Sequence, residues 1–106
     1  MEIKTTGFDV LNEQDRKDFE KLSNEYSEKL LRKLKNISSL AIHLKDYSKE
    51  GKRSKYSIHA RVLAPTKRDF KAEAFDWDFK RTLHKVFKKL ENEIEHEFHA
   101  SDEHKR

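Results

Sequence analysis

The sequence predicts an α+β fold: a two-layer β-α-β-β-β-α sandwich whose four-stranded mixed sheet carries both helices on one face. Three observations predict it. Apolar residues recur at three-and-four spacing over residues 13–35 and 79–98, which draws one stripe down each of two α-helices. The period becomes two over the runs near residues 37–45, 56–63 and 70–77, which suits half-buried strands. Two helix stripes and one apolar sheet face bury one another only when both helices lie on the same side.

Taken in order, Glu2–Val10 alternates weakly through Ile3, Thr5 and Phe8 and reads as an edge strand ending near residues 7–9. Asn12 caps the first helix, with Asp15 in its first turn and Phe19, Leu22, Tyr26, Leu30 and Leu34 on its buried side. Lys29, Arg32, Lys33 and Lys35 crowd its end, where the helix dipole alone favours cations. Leu40, Ile42 and Leu44 then alternate with Ala41, His43 and Lys45, and Tyr56, Ile58, Ala60 and Val62 repeat the pattern. Gly51 lies midway, so a hairpin symmetric about it sets Leu44 opposite Ile58, Ile42 opposite Ala60, and His43 opposite His59 on the outer face. Residues 45–55 form the basic connection, and Pro65 closes the third strand.

A fourth strand at 70–77 turns Ala72 and Ala74 to the core and Lys71, Glu73, Phe75 and Trp77 outward. Exposed aromatics on a sheet can stack nucleic-acid bases, although at strand ends they more often cover a core edge. Asp78 caps the last helix, whose stripe is Phe79, Leu83, Val86, Phe87, Leu90, Ile94 and Phe98. The first strand joins its neighbour in parallel and the other three form an antiparallel meander, leaving one sheet face open to water.

The chain of 106 residues is predicted to form a single domain over residues 1–100, followed by a flexible tail at 101–106. With 34% hydrophobic and 42% charged residues, the core must be thin and one-sided. No apolar run of about 18 residues is present and the N-terminus lacks a leader-peptide core, so a cytoplasmic protein without a membrane partner is expected. The absence of cysteine removes disulfides and thiolate zinc sites and agrees with a reducing compartment.

The net charge of +4 conceals a segregation: residues 1–36 are neutral, residues 37–89 carry +8, and residues 90–106 carry −4. A middle region of that sign is the electrostatic footprint of a phosphate-binding surface. Along the last helix, Lys80, Arg81, His84, Lys85, Lys88 and Lys89 precede the acids at 91, 93, 95 and 97. This order opposes the helix dipole, at about 0.3–1 kcal/mol per charge, and points to an anionic partner.

Catalysis finds no support. Gly7 and Gly51 are the only glycines, so no glycine-rich loop cradles a nucleotide, and no serine sits on a glycine-flanked elbow. His96, His99 and His104 do not share one helical face, and His43 with His59 lacks a third ligand. Neither an enzyme nor a bound metal or cofactor is expected.

The order of elements, the run Ala72-Glu73-Ala74, then Asp78, Leu83, Val86, Phe87 and the triplet Lys89-Leu90-Glu91, together with Leu31, Lys33 and Leu34, resembles the ribosome hibernation promoting factors. This family is also called ribosome-associated inhibitor A or sigma-54 modulation protein. The resemblance implies a domain that occupies the messenger and transfer RNA channel of the small ribosomal subunit and stalls translation under stress. It implies that basic residues of the helices hold ribosomal RNA, which selects Lys33, Lys85, Lys88 and Lys89. The charge pattern adds Lys80 and Arg81 and, from the hairpin, Lys52, Arg53 and Lys55. Asp76 departs from the family, which usually has a small residue there. A short form acting as a monomer on single ribosomes is expected, since no second domain follows the last helix. Two other readings stand beside it: a stand-alone RNA-binding module similar to double-stranded RNA-binding domains, and a protein-interaction domain whose charges serve solubility.

Overall fold

A computed structural model describes residues 2–34, 36–51, 53–65 and 68–104, with the backbone alone at 46–50, 53–54 and 98–104. The elements are β1 (Glu2–Thr6), a 3-10 turn (Phe8–Val10), α1 (Glu13–Leu34), β2 (Ser39–Glu50), β3 (Arg53–Leu63), β4 (Asp69–Asp76) and α2 (Phe79–His104). The sheet order is β1-β2-β3-β4, with β1 parallel to β2 and the remaining pairs antiparallel. This is the α+β sandwich that the periodicities predict.

Both caps form as the sequence requires. The Asp15 amide donates to Asn12 Oδ1 at 2.8 Å, and the Arg81 amide to Asp78 Oδ2 at 2.9 Å. The core draws Leu22, Tyr26 and Leu30 from α1 and Phe79, Leu83, Val86, Phe87, Leu90 and Ile94 from α2. These meet Leu40, Ile42, Leu44, Ile58, Ala60, Val62, Phe70 and Ala74 on the sheet. Each large side chain so buried contributes about 1.5–3 kcal/mol of transfer free energy. The two helices run parallel, since Tyr26 meets His84 near one end of their contact and Lys33 meets Glu95 near the other.

Two segments differ from expectation. Phe8–Val10 leave the strand for a 3-10 turn, because Phe8 there sets its ring edge-on against Phe19 at 4.8 Å and Phe79 at 6.1 Å. The stretch 45–55 is not a loose connection: β2 continues through Glu50 and β3 starts at Arg53, so the ladder extends nearly to the turn. The register symmetric about Gly51 holds from His43↔His59 and Leu44↔Ile58 outward. An irregularity between Leu44 and Asp46 then shifts it, so that Tyr47 pairs with Tyr56 and Glu50 with Arg53. Gly51, with φ +60°, supplies the left-handed conformation that a tight hairpin turn needs. α2 is helical as far as His104, beyond the last residue of its apolar stripe.

Candidate nucleic-acid interface

With its apolar stripe buried, α2 turns its opposite side to water, and Lys80, Arg81, His84, Lys85, Lys88 and Lys89 are all exposed there. Lys80 and Lys88 have no partner among the described residues. Arg81 and Lys85 share one carboxylate: Asp76 accepts from Lys85 Nζ at 2.6 Å and Arg81 Nη2 at 2.9 Å, and also from the Trp77 amide at 2.6 Å. The Lys85 ammonium, above all, holds the Asp76 carboxyl well below the usual carboxylate range, with the Trp77 amide and Arg81 assisting. Two cations to one anion leave this cluster net positive, and the bases stay 65% and 51% exposed while Asp76 is 12% exposed.

Lys89 Nζ donates to the Glu73 carbonyl on β4 at 2.8 Å. Its ammonium therefore bridges the helix to the sheet margin while remaining at the surface.

Lys33 does not join these bases. It lies half-buried beside the second half of α2, ion-paired with Glu95 and 4.0 Å from Glu91. Its charge is answered within the chain, so the matched motif that selects it marks a helix-to-helix tie. Lys55 lies on the other side of the sheet, its ammonium 4.8 Å from the centroid of the Phe75 ring. Lys52 falls outside the described residues, as does the side chain of Arg53. Of the nine predicted bases, the seven with described side chains are thus divided: five on the outer face of α2, one in the interhelical seam, and one on the open sheet face.

The structure adds bases that the dipole argument set aside. Lys29 and Arg32 line a surface hollow beside the seam with Lys33 and Glu91. Lys29 Nζ stands 4.8 Å from the Tyr26 ring, and the Tyr26 hydroxyl is 3.3 Å from His84 Nδ1. Burial, reinforced by the charge of Glu91, pushes the Tyr26 phenol above its ordinary value, so it remains a neutral hydroxyl. Through Tyr26 the end of α1 and the start of α2 form one continuous basic rim. Sequence could have found it by noting that Lys29 is three residues beyond the buried Tyr26, on the same helix flank.

Among the described residues no group of three or more histidine or acidic side chains could hold a metal ion, and no helix is long and apolar enough to cross a membrane.

The fold and its basic face define a class of proteins: small β-α-β-β-β-α sandwiches with two parallel helices laid on one side of a four-stranded sheet. Solved structures share that fold, and two of them show how far. A ribosomal subunit interface protein from Coxiella burnetii is 21% identical, with 94% of this chain and 99% of that chain covered and a TM-score of 0.59. The N-terminal domain of Protein Y from Thermus thermophilus is 13% identical, with 89% and 96% covered and a TM-score of 0.54. No protein-family model and no curated protein sequence matches the chain.

Proposed function

We propose that this protein is a ribosome-associated, non-catalytic inhibitor of translation that grips small-subunit ribosomal RNA with the outer face of α2, in the cytoplasm and as a monomer. The observation that carries the reading is that face: Lys80 and Lys88 without a partner among the described residues, Arg81 and Lys85 net positive over Asp76, all on a fold shared with a ribosomal subunit interface protein. The motif run from Ala72 to Glu91 supports the same family, and occupancy of the messenger and transfer RNA channel under stress follows from that resemblance. Lys29 and Arg32 extend the grip onto α1.

Co-sedimentation with purified small subunits tests the reading. Binding is expected at low salt and falls steeply as salt rises, because each phosphate neutralised releases counterions. Replacing both Lys80→Gln and Lys88→Gln lowers the log–log salt slope by about two. These positions suit the test because neither is tied into the fold, whereas a Lys85→Glu change would set a second carboxylate beside Asp76. Absence of association at low salt overturns the proposal. Equal affinity for bare duplex RNA would replace it with a general RNA-binding module.

A further inference from the structure

The sheet face away from the helices holds Phe75, at 63% the most exposed large apolar side chain among the described residues. Across the ladder Phe75 faces Ser57, too small to cover the ring. Lys55 extends its ammonium over the ring, a hold that is weak at an exposed site and easily exchanged. Along β4 from Phe75 come Glu73 and Lys71, the latter about 13 Å away at the rise of an extended strand.

There the face opens into a hollow of about 260 Å³ lined by Ala41, His43, His59, Arg61 and Lys71. Ala41 lends it depth, having no bulk above Cβ. His43 sits directly opposite His59. His59 Nε2 is 2.9 Å from Glu73, and Arg61 clasps Asp69 through two 2.8 Å bonds, with Lys71 3.8 Å from the same carboxylate. His43 is without a partner among the described residues, as is Lys4, which pairs with Ala41 along β1 on this face.

We propose that this open sheet face is a binding site for a short unpaired RNA strand, with one base stacked on Phe75 and the neighbouring backbone phosphates held by Lys55 and, past the hollow, by Lys4. The chemistry is complementary in kind and in order. An exposed aromatic ring offers a platform for any unpaired base, and the charges of Lys55 beside it and Lys4 beyond the hollow are unanswered by any carboxylate among the described residues. A base in a duplex cannot reach the ring, so the site selects single strands. It lies on the far side of the sheet from the α2 bases and does not depend on their role, so the protein would hold RNA on two opposite surfaces.

Fluorescence anisotropy of labelled oligouridylate and oligoadenylate with the full chain at low salt tests this, Trp77 offering an intrinsic reporter next to the site. Phe75→Ser is expected to weaken single-strand binding about tenfold, with an unchanged thermal transition because the ring is exposed. Lys55→Gln is expected to weaken it less, while both variants sediment with small subunits as the parent does if α2 alone is sufficient there. Single-strand binding equal to the parent in Phe75→Ser overturns the inference. So does binding that Phe75→Ser leaves intact while the paired Lys80→Gln and Lys88→Gln change removes it, an outcome that preserves the role of α2. Loss of subunit binding with the Phe75→Ser effect retained supports the sheet site and sinks the ribosomal reading alone.

Discussion

Asp76 has three donors and two consequences. Its folded carboxyl titrates below the ordinary value of 3.8, so the stability it contributes is present above about pH 4 and is lost as pH falls towards its depressed folded value. Asp76→Asn is therefore expected to lower the melting temperature at pH 7, with the gap to the parent closing below about pH 4 in thermal scans. The same change frees Arg81 and Lys85 from their shared anion, so RNA affinity should rise while stability falls. Opposite movement in the two assays is the signature of a residue that restrains a binding surface. Sequence marked Asp76 as a departure from the family pattern but not its partners, because the strand-to-helix turn brings Arg81 and Lys85 back onto it. Gly7 is constrained in another way. With φ +80° and an added Cβ only 2.5 Å from the Leu44 carbonyl oxygen, Gly7→Ala should cost about 1–3 kcal/mol in chemical denaturation.

At the level of elements, period and caps carried most of the information. The alternation around Gly51 placed His43 opposite His59 because a hairpin has only one centre of symmetry and one side of it must be buried. What alternation could not reveal was the irregularity between Leu44 and Asp46, since an extra residue in one strand leaves no compositional mark when its neighbours are polar. For the same reason the charged run beyond it read as a loop, although paired backbone carries it on to Glu50. Phe8 misled in the opposite direction: its β propensity suited a strand, and tertiary packing on Phe19 and Phe79 prevailed. Lys33 was legible as a family position but not as an ion pair, because Glu91 and Glu95 lie some sixty residues away along the chain.

For the molecule as a whole, the +8 middle of the sequence is one block in the chain and two surfaces in space. The sheet divides it, sending the α2 bases to one side and Lys55, Arg61 and Lys71 to the other. A linear tally of charge cannot tell one basic surface from two. The acidic second half of α2 lies beside the end of α1, where it answers Lys33 and bounds the basic rim instead of diluting it. A polyanion approaching the helices would therefore be steered towards the start of α2.

Lys89 shows how a surface cation can be committed elsewhere. Its ammonium caps the Glu73 carbonyl on the outermost strand, an acceptor that would otherwise invite a backbone donor from another molecule. Lys89→Met should make concentrated solutions scatter light on standing, beyond any loss of phosphate contact. The lysine would then be a guard against fibrous self-association as well as a member of the basic face.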